Sequence, residues 1–458
     1  MLDVTELRAR SARLMIVLPH LGVGGAQRVA TTLANHWANR GLEIHVVTIV
    51  DDKEEFYQLS PLIKRHVLSS TSLWGRIFTS TKVDLQDCPT SRHLGSDDDS
   101  NKATLSLAPI SRKAARLWQI VRFSLKTGNL RLLWQISLLI PRLALFGIVS
   151  YCVKRRVFGQ DPKVYLNLLR MSLWRVSALR KLVRRHEPDV VLSFLGATNI
   201  TTIASAKGLS TRIVISERND PDRQELDEPW QSLRPIVYPA ADLITANSHG
   251  AIEFMQHYCT SEKLRYVPNP VIELTSFNQP RLCSVLFLAR LVPQKGPDLL
   301  IDAFARFVRE NADWSLQIAG DGPLDSELKS RVRNLGLRDH VFFHGCVKDP
   351  TDLLTRASVF VLPSRFEGTP NSLLEAMAAR LACIVTDASP GPLRLIEHGV
   401  SGLVVKTENA TELASALHQL AQDPEMRQKL GQSAWMRTRA FRLENVAPDW
   451  ERLLFHKG

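Results

Sequence analysis

The chain has 458 residues, enough for two or three domains with sizeable cores. Its apolar fraction of 45% and charged fraction of 23% are ordinary for a soluble globular protein. The net charge of +12 is concentrated in residues 111–187, which contain 17 lysines and arginines but only two acidic side chains, so the remainder is close to neutral. The basic character is therefore one patch, not a general property of the chain.

The cysteines and the N-terminus exclude two further classes of protein. The six cysteines are scattered, and none has the CxxC or Cys/His spacing of a ligand set, which argues against a disulfide scaffold and a zinc site. The N-terminal segment contains Asp3, Glu6, Arg8 and Arg10 and lacks a long apolar core, so we expect no signal peptide. A reducing cytoplasm is the compartment that fits both observations.

The first predicted elements are a strand, a glycine loop and a helix. Leu14–Leu18 is an apolar run typical of a buried parallel strand, and a helix is predicted from Ala26 to about Asn39. Gly24 and Gly25 between them would let backbone N–H groups approach a phosphate, with a plain tight turn as the alternative. Further strands in this half are predicted at 43–50, 189–195, 212–216, 242–247 and 264–267.

The basic segment, residues 111–186, interleaves positive charge with apolar and aromatic side chains. Residues 130–153 are the most apolar part, but Pro141 and Arg142 at their centre favour a dip into one leaflet over a full membrane span. C-terminal to them, an apolar stripe at helical spacing opposes a basic face, a pattern typical of an interfacial helix on anionic lipid. The stripe is Leu166, Leu169, Leu173, Val176 and Val183, bordered by Trp174, and the basic face is Lys163, Arg170, Arg180, Lys181 and Arg184.

Two alternatives to a membrane surface remain for this segment. It could form a lid packed on the protein, or its basic residues could bind a nucleic acid backbone. The apolar run is too long for nucleic acid binding, and no RRM, KH or zinc-finger pattern is present. We therefore favour an anionic membrane surface as the partner and expect no nucleic acid.

A second alternating series follows a predicted linker at about 271–280. Two strand–helix halves joined in this way predict an α/β fold with two Rossmann-like domains facing across a cleft. We assign 1–275 to the N-terminal domain, with a basic helical insertion at about 70–187, 276–432 to the C-terminal domain, and 433–458 to a terminal helix interrupted near Pro448. Strands of the second domain are predicted at 284–288, 315–319, 341–343, 358–362, 383–386 and 402–405.

The segment 364–378 places two carboxylates eight positions apart. Gly368 and Pro370 put Glu367 on a loop, and the leucines and alanines that follow predict a helix starting at Asn371 or Ser372. Glu375 then lies in the first turns of that helix, whose backbone N–H groups would hold a phosphate. The alternative is a capping box, Ser372-x-x-Glu375, with Glu367 merely solvated.

Four segments in chain order resemble the retaining nucleotide-sugar glycosyltransferases of family 4. Glu367 and Glu375 match the Glu-x7-Glu signature of that family, and 289–296 resembles its Gly-Arg-Leu…Lys-Gly phosphate clamp. Residues 320–323 resemble its Gly-x-Gly-Pro turn, and 21–28 its Gly-Gly-Ala-Glu-Arg loop. The resemblance covers roughly 1–60 and 188–458. It implies the two-domain GT-B fold, with the final helix crossing back to the first domain.

The resemblance also implies residue roles. Arg290 and Lys295 would stabilise the departing diphosphate, Glu367 would contact the transferred sugar, and Glu375 would bind the ribose hydroxyls. Donor-binding contacts would come from Gly24, Gly25, Gly322, Asn371, Ser372, Leu373 and Leu374. Glu217 resembles the residue found in the branch that builds lipid-linked amino-sugar oligosaccharides. It would be either an acceptor base or a structural carboxylate paired with Arg218.

The sequence departs from the family pattern at three positions. Ala289 stands where the family has glycine, Gln27 where it has glutamate, and Arg394 where an acidic residue is more usual. The last of these leaves donor contacts in that loop undefined.

The expected function is that of a metal-independent, retaining glycosyltransferase at the cytoplasmic membrane face. It would move a hexose or N-acetylhexosamine from a nucleotide diphosphate sugar, with UDP favoured, to a lipid-linked or cell-surface glycan. We expect no cofactor and no metal, since Arg290 and Lys295 supply positive charge and Asp97–Asp99 reads as a solvated loop. A nucleotide-sugar epimerase of the same fold and an inactive membrane-binding protein are the alternatives.

Overall fold

The computed structural model describes residues 12–50, 55–68, 162–218, 221–222, 226–227, 230–273 and 280–455. The chain forms two compact units, 1–69 with 169–458, and 70–168. The two sheets and the candidate site belong to the first unit.

The N-terminal domain is built on a seven-stranded parallel sheet with the order β3-β2-β1-β4-β5-β6-β7. The apolar runs that predict β1, β2, β4, β5 and β6 are almost entirely buried, as expected for a parallel sheet covered on both faces. The edge strand β3 is not predicted from sequence because its Lys-Arg-His-Val composition lacks an apolar run. The strands are β1 Arg13–Leu18, β2 Glu43–Thr48, β3 Lys64–Val67, β4 Val190–Phe194, β5 Arg212–Glu217, β6 Leu243–Ala246 and β7 Leu264–Tyr266.

The helices of this domain cover both faces of the sheet. Leu33 and Trp37 of the first helix are fully buried among strand residues such as Leu14 and Ile44. The helices are α1 Gly25–Asn39, α2 Pro162–His186, α3 Gly196–Ala206, α4 Trp230–Val237 and α5 His249–Met255.

The C-terminal domain repeats this plan with a six-stranded parallel sheet of order β10-β9-β8-β11-β12-β13. Its strands are β8 Ser284–Leu288, β9 Ser315–Ala319, β10 Val341–Gly345, β11 Val359–Leu362, β12 Ala382–Thr386 and β13 Leu403–Val405. Its helices are α6 Pro297–Phe307, α7 Asp325–Asn334, α8 Thr351–Arg356, α9 Asn371–Ala378, α10 Pro390–Leu395 and α11 Ala410–Gln422. The predicted α/β fold with two Rossmann-like domains is confirmed.

The chain ends in two helices separated by a short turn. Helix α12 spans Pro424–Arg437, a 3-10 turn covers Thr438–Phe441, and α13 spans Leu443–Phe455. Pro448 lies inside α13, so the predicted interruption near this residue is wrong, and the break falls at the turn. The side chains of Val446, Trp450 and Leu454 pack into the core of the N-terminal sheet, which carries the last helix back to the first domain.

The second half of α2 packs against the protein. Leu179 and Val183 are buried with Met15, Val17 and Val47 on one face of the N-terminal sheet. The interfacial-helix interpretation is therefore wrong for Val183, because a helix that leads directly into β4 must return its apolar stripe to the sheet. The structure accordingly places 173–186 in the N-terminal domain and not in an insertion.

Other side chains of α2 differ in whether they contact protein or solvent. Arg180 donates hydrogen bonds to the carbonyl oxygens of Ser205 at 2.8 Å and Lys207 at 3.0 Å, so its guanidinium is held by protein. Leu173 and Trp174 are 41% and 37% exposed. No helix within the described ranges has the length and apolar character needed to cross a bilayer. The predicted leaflet segment 130–153 and the aspartates Asp97–Asp99 lie outside the described residues.

Candidate active site

The candidate site lies where loops follow the carboxyl ends of parallel strands. In both sheets the strand order reverses beside the first strand, at β1/β4 and at β8/β11, and such switch points are where α/β sheets bind ligands. The glycine loop follows β1, residues 289–296 follow β8, and 363–370 follow β11. All three predicted motifs therefore occupy switch points.

An ion pair joins two of these loops. Lys295 Nζ lies 2.6 Å from Glu367 Oε1, and both side chains are largely buried. Ser364 Oγ donates to the same carboxylate oxygen at 2.7 Å, and the backbone N–H of Glu367 donates to Ser389 Oγ at 2.8 Å. Three side chains, Lys295, Ser364 and Ser389, thus fix the position of Glu367.

The close approach of these loops requires glycine at position 296. Gly296 adopts φ +62°, in the left-handed region, and a Cβ there would lie 2.1 Å from the carbonyl oxygen of Pro363. The backbone of the 289–296 loop can therefore pass directly over the end of β11. This contact brings Lys295 and Glu367 together although 72 residues separate them.

Arg290, the predicted phosphate-clamp arginine, is exposed, unlike the largely buried Lys295. The Arg290 side chain makes no hydrogen bond or ion pair with the parts of the chain that the structure describes. Its loop is held by Leu291, whose N–H donates to the Asp321 carbonyl at 2.9 Å. Gly322 belongs to this contact, since a Cβ on it would lie 2.4 Å from the Leu291 carbonyl oxygen. Gly322 therefore supports the clamp loop through its backbone.

Helix α9 begins at Asn371, as predicted, but it has no capping box. Its N-cap is Pro370, and no side chain caps it. Glu375 instead pairs with Arg28 Nη1 at 2.9 Å. Burial raises the pKa of the Glu375 carboxyl to about 7, and the nearby Arg28 opposes that rise. Of the predicted amide donors, Leu374 N–H already contacts the Pro370 carbonyl at 3.3 Å.

Asparagine side chains connect the start of α9 to the N-terminal domain. Asn371 Nδ2 donates to the Gly25 carbonyl at 3.0 Å, so the glycine loop and the signature helix are in direct contact. Asn269 Nδ2 donates to Asn371 Oδ1 at 2.6 Å and to the Thr369 carbonyl at 3.0 Å. The hydroxyl of Thr369 in turn donates to the carbonyl of Asn247. The two halves of the site therefore meet across hydrogen bonds.

Glu217 ends β5 on the N-terminal side of the cleft and is 1% exposed. It accepts hydrogen bonds from the Tyr238 hydroxyl at 2.7 Å and from the Arg218 backbone N–H at 3.1 Å. Burial raises the pKa of Tyr238 well above its usual value, so this hydroxyl stays a donor. The carboxylate is closed off from the cleft in this arrangement.

The guanidinium of Arg218 points elsewhere. Arg218 Nη1 donates to Asn269 Oδ1 at 2.6 Å, and the group stacks over Phe194 and Trp450 at 5.4 and 5.3 Å. Burial lowers the pKa of Arg218 to about 9. Glu217 and Arg218 are therefore structural partners through the backbone N–H of Arg218. The guanidinium of Arg218 donates its hydrogen bond to Asn269.

Arg394, which replaces an acidic residue of the family pattern, also reaches across the cleft. Its Nη1 contacts Nδ1 of His249 in the N-terminal domain. The His249 ring lies 4.2 Å from that of Tyr266. Arg394 therefore contributes to the contact between the two domains.

Sequence reasoning missed several residues that hold the site. Arg28 lies within the glycine-loop motif and Asn269 within an Asn-Pro pair, so both positions were visible but lacked a pattern that predicts their partners. Ser364 and Ser389 carried no signal at all. Ser389 contacts Glu367 from 22 positions away in the chain. Ser364 contacts the same residue within a turn whose shape the sequence does not specify.

Comparison with known proteins agrees with this geometry. The family described as Glycosyltransferase Family 4 matches residues 145–272, and that described as Glycosyl transferases group 1 matches 280–435. A Campylobacter jejuni protein named GalNAc-alpha-(1->4)-GalNAc-alpha-(1->3)-diNAcBac-PP-undecaprenol alpha-1,4-N-acetyl-D-galactosaminyltransferase is 30% identical over 60% of this chain and 77% of its own length. A second C. jejuni relative, N-acetylgalactosamine-N,N'-diacetylbacillosaminyl-diphospho-undecaprenol 4-alpha-N-acetylgalactosaminyltransferase, is 30% identical over 59% and 77%.

Solved structures share the fold. Anabaena Alr3699/HepE in complex with UDP-glucose superposes with a TM-score of 0.65, covering 96% of this chain and 99% of the other at 15% identity. Crystallised S. aureus TarM with UDP has a TM-score of 0.55, covering 62% and 59% at 16% identity. The motif-based resemblance is confirmed: the chain belongs to family 4 of the glycosyltransferases and has the GT-B fold.

Proposed function

We propose that this glycosyltransferase moves a hexose or N-acetylhexosamine from a UDP-sugar to a lipid-linked glycan, with retention of anomeric configuration and without a metal. The Lys295–Glu367 pair at the switch point of the C-terminal domain is the observation that carries the proposal. We assign Lys295 to the diphosphate and Glu367 to the sugar, and the 2.6 Å contact between their side chains supports this assignment. The reaction would take place at the cytoplasmic face of the membrane.

The choice of substrates rests on the relatives. Both C. jejuni proteins are named for acceptors in which the glycan is joined to undecaprenol through a diphosphate. The Anabaena and S. aureus structures contain UDP or UDP-glucose. These names support a lipid diphosphate acceptor and a UDP-sugar donor for this chain.

The proposed chemistry follows the movement of charge. Negative charge accumulates on the diphosphate as the glycosidic bond breaks, and donors fixed near it stabilise that change more than the ground state. Lys295 and Arg290 supply the cations, and the amides at the glycine loop and at Asn371–Leu373 supply neutral donors. Glu367 orients the sugar hydroxyls and stabilises positive charge at the anomeric carbon.

Glu217 has no part in this chemical step. Its carboxylate is buried and accepts hydrogen bonds from the Tyr238 hydroxyl and the Arg218 N–H, so an acceptor hydroxyl could reach it only after a rearrangement. We assign it to positioning the end of β5.

Replacing Glu367 with Gln tests the function directly. The purified 458-residue chain is given UDP-, GDP- and ADP-sugars with undecaprenyl diphosphate-linked saccharides, and transfer is read as label in the lipid extract and as nucleotide diphosphate release. We expect the wild type to use a UDP-sugar and to form a product with the donor's anomeric configuration. Glu367→Gln should lower the rate by roughly 10²–10³-fold, the range for losing a group that stabilises transition-state charge.

The matched control is Glu425→Gln, an exposed carboxylate in the first turn of α12 of the same domain. It should retain the wild-type rate, and UDP should still bind Glu367→Gln. Near-normal transfer by Glu367→Gln would remove the proposed role. Epimerisation of the free donor without any transfer to lipid would instead identify an epimerase.

Chelation and loss of Arg290 test the source of positive charge. The initial rate should survive excess EDTA, because Arg290, Lys295 and backbone amides stabilise the diphosphate. Arg290→Ala should lose roughly 3 kcal/mol of transition-state stabilisation, by analogy with removing an oxyanion donor. Arg309→Ala, an exposed arginine on the same domain, is the control and should leave the rate unchanged. Complete loss with EDTA and full recovery with Mn²⁺ or Mg²⁺ would contradict metal independence.

The raised pKa of Glu375 predicts how UDP binding depends on pH. If the carboxylate accepts hydrogen bonds from the ribose, the proton held with a pKa of about 7 must first be lost. UDP should then bind about tenfold more tightly at pH 8 than at pH 6, measured by calorimetry. Because the terminal phosphate of UDP also titrates in this range, Glu375→Gln supplies the baseline. Identical pH profiles for the two proteins would show that Glu375 does not bind the donor.

The Glu375 carboxyl should also make stability depend on pH. UDP binding should strengthen as the pH rises, whereas the free energy of unfolding should fall. Its folded pKa of about 7 exceeds the ordinary value of 4.5, so its stabilising effect is complete below pH 4.5 and is lost as the pH rises through 7. Relative to Glu375→Gln, the wild type should therefore lose free energy of unfolding between pH 5 and pH 8, by on the order of 1–3 kcal/mol. Urea unfolding at a series of pH values measures this difference.

We also propose membrane attachment through the exposed side chains of α2 and the basic residues that precede this helix. The exposed Leu173, Trp174, Lys181 and Arg184 support it, since they combine apolar and basic side chains on one helix. Changing the first two to Ser and the last two to Glu should reduce flotation with phosphatidylglycerol vesicles. A control with Arg309→Glu and Lys429→Glu, exposed in the other domain, should float normally. Equal flotation of all three proteins would rule out a contribution from this helix.

A further inference from the structure

Three histidines converge in the N-terminal domain, away from the loops of the candidate active site. His45 lies in β2, His66 in the edge strand β3, and His186 is the last residue of α2. One ring nitrogen from each lies within 4.8 Å of the others. In the sheet, His45 pairs with Met15 in the middle of β1, and His186 ends α2 before β4 begins at Val190, whereas the glycine loop follows the carboxyl end of β1. The cluster therefore does not belong to the donor or acceptor site.

The ring nitrogens of His45 and His66 are close enough to bind one ion. Nδ1 of His45 and Nε2 of His66 share a hydrogen bond of 3.0 Å, with parallel rings whose centroids are 5.1 Å apart. Two nitrogens bound to a tetrahedral ion at about 2.0–2.1 Å each are separated by slightly more than this distance, so an ion could replace the hydrogen bond. The His186 ring lies 4.6 Å from His45 and 4.7 Å from His66, and its ligand nitrogen is within 4.8 Å of the other two.

A carboxylate orients the central histidine. Glu43 Oε1 lies 3.1 Å from His45 Nε2, so that nitrogen carries the proton and Nδ1 presents a lone pair to the cluster. A metal-ligating histidine commonly donates its other N–H to a carboxylate in this way. Lys64 Nζ is 2.5 Å from the same Glu43 oxygen, and Arg185 adjoins His186. These two cations oppose a bound metal, and the Glu43 charge offsets part of that repulsion.

We propose that His45, His66 and His186 bind a divalent transition metal of the zinc type, with water in the fourth position. Imidazole is a favoured ligand of Zn²⁺, and three protein ligands plus water complete a tetrahedron. The ion would cross-link the end of α2 to the edge strand β3. This site departs from the sequence-based expectation of no zinc and no metal, because its ligands are 21 and 120 positions apart and match no local spacing.

The experiment measures metal binding by the untagged 458-residue chain after removal of metal with a chelator. Titration with ZnCl₂ by calorimetry should give about one equivalent per chain, and Co²⁺ should give the visible absorption of a tetrahedral site. Zn²⁺ should raise the Tm of the wild type at pH 7.5, because an ion that binds only the folded chain stabilises it. Transfer activity is not the readout, so this test is independent of the proposed function.

Variants distinguish a metal site from a hydrogen-bonded histidine cluster. His66→Asn and His186→Asn should abolish stoichiometric binding and the Zn²⁺-dependent rise in Tm. Glu43→Gln should keep the site but weaken it roughly 10–100-fold, as loss of a carboxylate behind a ligating histidine does. His257→Asn, an exposed histidine of the same domain, is the matched control and should bind like the wild type.

Two results would overturn the proposal. One is the absence of stoichiometric binding at micromolar Zn²⁺ by the wild type, which would leave a hydrogen-bonded cluster only. The other is equal binding by the wild type and by His66→Asn, with both proteins folded by circular dichroism, which would place the ion elsewhere. If His66→Asn fails to fold, Glu43→Gln decides the question, because unchanged affinity in this variant would exclude His45 as an oriented ligand.

Discussion

The side chain of Asn269 is the contact on which the candidate site depends. Its amide nitrogen donates to both Thr369 and Asn371 in the C-terminal domain, and its oxygen accepts from Arg218 in the N-terminal domain. One buried side chain thus connects the ends of both sheets. Each such hydrogen bond contributes only about 0.5–1.5 kcal/mol, but leaving any of these buried groups without a partner costs more. The start of α9 therefore has one favoured position relative to the glycine loop.

Charge in the cleft is balanced before any substrate binds. Glu367 is paired with Lys295, and Glu375 with Arg28. An incoming diphosphate would compete with a carboxylate for the cation in the first pair. In the second pair the acid and the base come from different domains, so any change at Glu375 also affects the contact between the domains. The proposed donor contacts at these side chains would therefore couple donor binding to the contact between the two domains.

The second half of α2 shows how a single helix can serve two environments. Leu179 and Val183 face the sheet, whereas Leu173 and Trp174, one to two turns earlier, face solvent. The helix also ends at His186, within the histidine cluster beside the edge strand. Attachment of its last turns to the sheet is therefore what positions the exposed Leu173 and Trp174.

The sequence by itself determined the parallel sheets, the switch-point loops and the helix start at Asn371. Buried parallel strands read as continuous apolar runs, and glycine and proline mark the loops, so these features are local. The polar edge strand β3 and the turn that separates α12 from α13 were missed because they carry no such run. The pairing of Lys295 with Glu367 was anticipated only in so far as family resemblance placed both at the donor.

Only the tertiary structure decided which groups act together. Nothing near Glu375 in sequence distinguishes a capping box from a salt bridge to Arg28, because the two residues are on different domains. Val183 fits an apolar stripe whether the stripe faces lipid or a sheet, since both are apolar. Glu217 carries the same charge whether it is open to an acceptor or closed off by Tyr238. In each case the outcome depends on a long-range contact, and a one-dimensional pattern of residue types does not encode such contacts.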